Sequence, residues 1–456
     1  MSPDSTLAPS VATETHTTDQ SPTGRHVTLR HASAVAAGSA LVAATAVWAK
    51  HHDVHLGDAA PLLGNFHLRL SPLIIPAVLV GLIGVTVAPA LMERLPWHAL
   101  PVATWTLALC WAVALAGAQG ASGITGPLNT ADEYLPDLVH VHGLDAYLSG
   151  FVAHVHDPAP GQFQWATHVS GGPPGPLLIF AILARTGLGG PVAASLLVVL
   201  VGTAAAPAAA ITVRRLTDED TARRAAPFLA FAPIAIWVAT SADAFFLGIS
   251  AWAVALLAIA ATSTGGGRCR GDLTALAGGL LLGVGLYCSY GIAPLGAVVV
   301  AVVLSQRRVR PLLLGSIGVA AVALAFAAYG FWWWTGLTAT RVAYAESIAN
   351  VRPYGYFIIA DLAAFAIAVG PATVAGIASL PRDSRLWWTV GGALLAAACS
   401  DLSGLSKGEV ERIWLPFAIW LLPAAAALGS PRARRGWLAA QIILGLTLQL
   451  VLLTDW

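Results

Sequence analysis

Charge is what this sequence has least of. Asp, Glu, Lys and Arg together make up 10% of its residues, against about a quarter in soluble domains. Lysine is nearly missing, with Lys50 and Lys407 alone in the whole chain. Cysteine is scarce as well: Cys110, Cys269, Cys288 and Cys399 stand apart with no CxxC spacing, which excludes a cysteine metal site and leaves four small apolar side chains. Basic residues occur only as small clusters, too few and too dispersed for a nucleic-acid surface. What fills the space is apolar. Hydrophobic residues make up 57% of the 456, with 16 Trp and 28 Pro, and the mean hydropathy is +0.73.

The apolar residues arrive in long runs, near 32–49, 72–92, 101–118, 174–187, 190–212, 226–240, 244–262, 273–288, 291–305, 311–331, 357–380, 386–400, 412–428 and 436–453. In lipid such a run closes its own backbone hydrogen bonds as a helix, and about 20 residues cross the bilayer. The run 174–187 is short and flanked by Gly and Pro, which fits a helix lying at the surface. With thirteen spans starting inside, 17 Lys and Arg fall on the cytoplasmic side and 7 outside, as positive-inside retention requires. The expected fold is an all-α transmembrane bundle of about thirteen spans, N-terminus inside and C-terminus outside, in a cytoplasmic membrane. Residues 1–24, rich in Ser, Thr and Pro, read as a disordered cytoplasmic tail, and 25–456 as one transmembrane domain. A cleaved signal peptide competes for the run 32–49. The stretch 119–189 reads as an outer loop with short juxtamembrane helices; its first part, 119–173, holds five histidines, five acids and no Lys or Arg.

Ionisable groups at the edge of an apolar bundle are costly and mark function. Four clusters fall on the expected outer side. Asp132-Glu133-Tyr134 opens an amphipathic stretch of the long loop, where two solvated acids are the plain alternative. His168 stands in Thr167–Gly175, a Gly/Pro turn whose backbone N–H groups suit an anion and which also reads as simple helix entry. Asp243 precedes a span and doubles as a helix cap. Lys407-Gly408-Glu409-Val410-Glu411-Arg412 enters the twelfth span, where an internal ionic network competes with ligand binding. Arg341, Arg352 and Tyr354, in the loop after Trp332-Trp333-Trp334, are placed to join them. Carboxylates, cations and an aromatic rim on one face suit chemistry on an anionic lipid: cations for a phosphate, a carboxylate for a hydroxyl proton.

From about 101 to 428 the sequence resembles the GT-C class of membrane glycosyltransferases, particularly actinobacterial members. The residues that carry the resemblance are Asp132-Glu133, Gly172-Pro173-Pro174-Gly175, Arg214-Arg215 with Arg223-Arg224, Asp243, and Lys407 through Pro416. It implies a polyprenyl-phosphate sugar as donor, a glycan or lipid hydroxyl as acceptor, and inversion at the anomeric carbon. Asp132 or Glu133 would be the general base and Asp243 a second acid. His168, Arg341, Arg352, Tyr354, Lys407, Glu409, Glu411 and Arg412 would line the substrate site, with Lys407 and Arg412 on phosphate. Two departures stand out: the acidic loop follows the third span instead of the first, and Gly172 replaces a basic residue before Pro173-Pro174.

A transporter or lipid flippase is the main alternative. Coupling needs ionisable groups at mid-membrane; only Asp361 clearly sits inside an apolar run, with Asp272 at an edge, and that scarcity favours the enzyme. Zinc binding by His51, His52 and His55 with His140, His142, His154 and His156 lacks a completing Cys or Glu. No metal or other cofactor is assigned. The expected partners are the lipid-linked donor, the acceptor and membrane lipids, with no nucleic acid.

Overall fold

The structure, a computed structural model, describes residues 22–263 and 268–454. It is an all-α polytopic membrane protein. Among the described residues the strands are two residues each, Asn65–Phe66 and Leu452–Leu453, paired antiparallel. The tail expected over 1–24 lies, for 1–21, outside the described residues; a helix is formed from Pro22 to His51.

Among the described residues six helices are long and apolar enough to cross a bilayer: Leu29–His51, Leu100–Gly117, Pro191–Leu216, Ala242–Thr262, Cys269–Leu286 and Arg310–Ala328. Two bent pairs raise this to eight: Pro72–Thr86 with Ala88–Arg94, and Tyr354–Val369 with Pro371–Ser379. The expected count of thirteen is not reached on length and composition, because several apolar runs are broken helices. Gly370, at φ +82°, and Pro371 turn the chain by 99° within 357–380. Pro416 and Pro423 cut 412–428 into the short helices Leu415–Ala418 and Leu422–Ala427. This segment is almost wholly buried, from Trp414 through Ala425. Broken backbone is tolerated at membrane depth where protein, not lipid, surrounds it.

The outer helices expose their large side chains: Leu79, Leu82 and Ile83 on one, Leu313, Ile317 and Leu324 on another. In water such faces would aggregate; they are the lipid contact. Inward, small residues let backbones approach. A Cβ on Gly279 would stand 2.0 Å from the Gly315 carbonyl oxygen, and one on Gly248 2.0 Å from that of Val201. Close helix contact through glycine is the usual route to dispersion energy where burial from lipid supplies none.

The charges separate to two ends. At one, Arg223 donates to the carbonyls of Met92 (2.8 Å) and Leu95 (2.7 Å), Arg385 to that of Leu216 (3.3 Å), and Arg214 pairs with Glu219 at 2.8 Å. Arg308 donates to the Ser263 carbonyl and Arg310 pairs with Asp272 at 2.7 Å. The helix Ala242–Thr262 runs from that end to the other, where Asp243 meets the acids of the long loop. The 119–173 stretch folds there as short helical turns, among them Pro136–His140, Leu144–Gly150 and Thr167–Ser170. Aromatic packing around Phe151, Trp165 and Tyr147 holds them together.

Candidate active site

Neighbouring acids of the long loop point in opposite directions. Tyr134 and Leu135 are buried, Tyr134 against Phe180 with ring centroids 5.8 Å apart. Glu133 goes inward with them, 2% exposed, while Asp132 stays at the surface. The turn Thr167–Ser170 grips both. Thr167 Oγ1 donates to Asp132 Oδ1 at 2.7 Å, and the His168 backbone N–H donates to the Asp132 carbonyl at 2.9 Å. His168 Nδ1 stands 2.8 Å from Glu133 Oε1. The turn is itself fixed by Asp137, whose Oδ2 accepts the Ala166 N–H at 2.8 Å and whose carboxyl burial holds above the usual range. Thr340 Oγ1 donates to the Ser170 carbonyl at 2.9 Å.

The basic segment approaches from the other side through a strained turn. Gly408 and Glu409 both have left-handed backbones, φ +87° and +63°; for Glu409 that costs free energy and persists only where the surroundings enforce it. Here they do. Lys407 N–H donates to Tyr344 Oη at 2.9 Å, Gly408 N–H to Asp361 Oδ1 at 3.1 Å, and Arg352 to the Lys407 carbonyl at 2.7 Å and the His55 carbonyl at 3.0 Å. Glu411 Oε1 accepts the Leu63 N–H at 3.2 Å. Burial pushes the Glu411 carboxyl up to about 7.

Arg412 then sits at the centre. Its guanidinium lies 2.8 Å from Glu409 Oε2, 3.4 Å from Asp243 Oδ2, 3.8 Å from Glu133 Oε1 and 2.8 Å from His168 Nε2. Each ion pair is worth about 4–6 kcal/mol at an effective dielectric near 20, and removing each ion from water costs several kcal/mol. Burial alone would raise the Glu409 carboxyl, but Arg412 overrides it and leaves it below the usual range. Burial would likewise lower Arg412, and Asp243, Glu409 and Glu133 outweigh it, so the guanidinium is held charged. Three carboxyl groups thus surround one guanidinium.

The sequence-expected residues therefore divide. Asp132, Glu133, Asp243, His168, Glu409 and Arg412 come together, from four stretches of chain. Both ring nitrogens of His168 are engaged within the protein. Lys407 is half-buried, its Nζ on the Ala349 carbonyl at 2.9 Å. Arg352 and Glu411 are buried in the turn's support, and Tyr354 Oη donates to the Leu402 carbonyl at 3.0 Å. Arg341 lies exposed on the helix Trp333–Glu346, which also carries the exposed Trp334. Sequence reasoning missed Tyr344, Leu63 and the His55 carbonyl; a phenol and two backbone groups carry no signal of their own. His140 and His154 stack on either face of Phe163, at 3.8 and 4.1 Å between centroids. Among the described residues no three His, Cys, Asp or Glu side chains form a metal-holding group.

No protein-family model matches the chain, and no curated protein does. Two solved structures are similar to it in fold. ArnT from Cupriavidus metallidurans in the apo state is 18% identical with a TM-score of 0.40, over 63% of this chain and 56% of that one. The Archaeoglobus fulgidus oligosaccharyltransferase in the apo form is 12% identical with a TM-score of 0.48, over 78% and 56%. The chain thus spans little more than half the length of either. A likeness at these scores says nothing of activity.

Proposed function

We propose that the chain is a membrane glycosyltransferase of the GT-C class, transferring a sugar from a polyprenyl-phosphate donor to a glycan or lipid hydroxyl outside the cytoplasmic membrane. The observation that carries this reading is the convergence on Arg412 of Glu133, Asp243, Glu409 and His168, with the exposed Asp132 held beside them. The energetic cost of burying four charges needs a functional return. By positive-inside retention the arginine-rich end is cytoplasmic, so this cluster faces out, with the N-terminus inside and the C-terminus outside, in a single transmembrane domain over 25–456.

In this reading Asp132 is the general base, because it is the carboxylate of the pair that a hydroxyl can reach. It takes the proton from the acceptor, whose oxygen attacks the anomeric carbon. The bond from that carbon to the lipid phosphate oxygen breaks, the electron pair leaves with the phosphate, and the configuration inverts. Lys407 has two N–H donors beyond the one on Ala349, and in this reading they receive the phosphate. Arg341 and Trp334 mark the lipid entrance, with Arg352 and Tyr354 behind it. Glu133, Glu409, Asp243 and Arg412 hold the constellation together, with Asp243 as the second acid.

The test is transfer in proteoliposomes from a panel of labelled polyprenyl-phosphate hexoses and pentoses. Asp132→Asn should lower the rate by about 10²–10⁴, the usual contribution of a positioned base, while melting with the wild type. Undiminished transfer in this variant removes the base. Ion-coupled substrate uptake with no transfer replaces the enzyme by a transporter.

A further inference from the structure

The structure assigns His168 as a positioning residue: a neutral imidazole with its proton on Nδ1, locked between Arg412 and Glu133, that sets the acidic pair without touching substrate. This rests on the glycosyl-transfer reading for its consequence, but not for its chemistry. The Nε2 atom is 2.8 Å from an Arg412 guanidinium nitrogen. A guanidinium only donates, so Nε2 must present its lone pair and carries no proton. The one proton of the neutral ring is then on Nδ1, the nitrogen 2.8 Å from Glu133 Oε1. That carboxylate lies off the in-plane N–H direction, so the contact is a close charge–dipole approach and not an aligned hydrogen bond. With the tautomer reversed, two N–H groups would meet at the Arg412 contact, and the Glu133 carboxylate would stand 2.8 Å from a ring nitrogen without a proton.

The consequence reaches Asp132 through the backbone. His168 N–H holds the Asp132 carbonyl, and the preceding Thr167 holds its carboxylate. One ring therefore ties the basic turn at Arg412 to the residue pair 132–133 from both sides. The charged groups that face it are Glu133 from the long loop, Asp243 from the span Ala242–Thr262, and Glu409 and Arg412 from the basic turn. A second cation at position 168 would favour the three acids but strike Arg412 at hydrogen-bond distance.

Glutamine is the discriminating substitution, because its amide accepts with the oxygen and donates with the nitrogen. His168→Ala should lower the turnover number about 100-fold, the scale of a misplaced reacting group, with KM for the polyprenyl-phosphate sugar little changed. His168→Gln should restore at least about tenfold of that loss, whereas His168→Lys should not. Independently of turnover, ¹⁵N-histidine spectra of the micellar protein at neutral pH should contain a neutral Nδ1–H ring that disappears in His168→Gln. Should wild type transfer no sugar, the functional reading fails while this spectrum still decides the tautomer. An imidazolium or an Nε2–H ring at position 168 overturns the assignment. So does a glutamine variant no better than alanine, or a raised KM at unchanged turnover, which would make His168 a substrate contact.

Discussion

Replacing Arg412 by Gln keeps the approximate size of the side chain and removes the one cation among Glu133, Asp243 and Glu409. At an effective dielectric near 20 the contacts at 2.8, 3.4 and 3.8 Å are each worth about 4–6 kcal/mol before desolvation is subtracted. Taking one partner from a buried pair usually costs about 3–5 kcal/mol, because the remaining charge stays in the protein unpaired. Three stranded carboxylates place Arg412→Gln at the upper end of that range. Intrinsic tryptophan fluorescence in detergent micelles gives an apparent melting temperature for comparison with wild type. At pH 8 the variant should melt well below it. Stranded carboxylates bind protons more tightly in the folded chain than in the unfolded one, so the variant gains stability as pH falls. The gap to wild type should therefore narrow at pH 5.5. Adding Glu409→Gln to Arg412→Gln removes one of the unpaired charges and should return part of the loss at pH 8. Equal melting of variant and wild type at pH 8, or a gap indifferent to pH, would refute the view that Arg412 is the electrostatic centre of the site.

The same reasoning applies nearby. Glu411 keeps its proton to about pH 7 in the folded protein, against about 4.3 when unfolded. The folded chain thus holds a proton that the unfolded chain releases, and stability falls as pH rises between those values, by on the order of 3 kcal/mol. Glu411→Gln keeps an acceptor for the Leu63 N–H and should flatten that slope in melting curves; an unchanged slope would locate the titration elsewhere. Gly175→Ala would bring a Cβ to 2.1 Å from the Tyr287 carbonyl oxygen, whose hydrogen bond from Gly175 N–H is 2.9 Å long. Overpacking of this kind costs about 1–3 kcal/mol, readable as a lower melting temperature, and normal melting would mean the surface helix shifts freely.

Hydropathy made the membrane architecture legible, but it measures the length of an apolar run and not its continuity. The runs 357–380 and 412–428 looked like spans of ordinary length. Whether Gly370-Pro371 or Pro416 and Pro423 break a helix depends on who supplies the freed backbone groups with partners. In 412–428 the surroundings are protein on every side, so the helix comes apart into pieces that a lipid-facing segment such as Arg310–Ala328 could not allow. Composition cannot separate the two cases, because both are equally apolar.

The site was legible to the extent that it is charged. Acids and cations in an apolar chain stand out, and among those singled out Glu133, Asp243 and Arg412 meet within a few ångströms, with Asp132 held on the adjoining turn. What sequence could not supply is the order of contacts. Asp132 and Glu133 are chemically close neighbours in the chain, and only the burial of Tyr134 and Leu135 turns one inward and leaves the other outside. Asp361 is a carboxylate within an apolar run, and one such acid was too little to argue for ion coupling. Its Oδ1 accepts the N–H of Gly408, the first of two left-handed residues. An acid in a span is costly because its hydration is lost. Here a backbone donor from the left-handed turn at Gly408 and Glu409 replaces part of that hydration, and the turn in return aims Glu409 and Arg412. The expense of burying Asp361 is thus coupled to the geometry of the basic segment, and needs no transported ion to account for it.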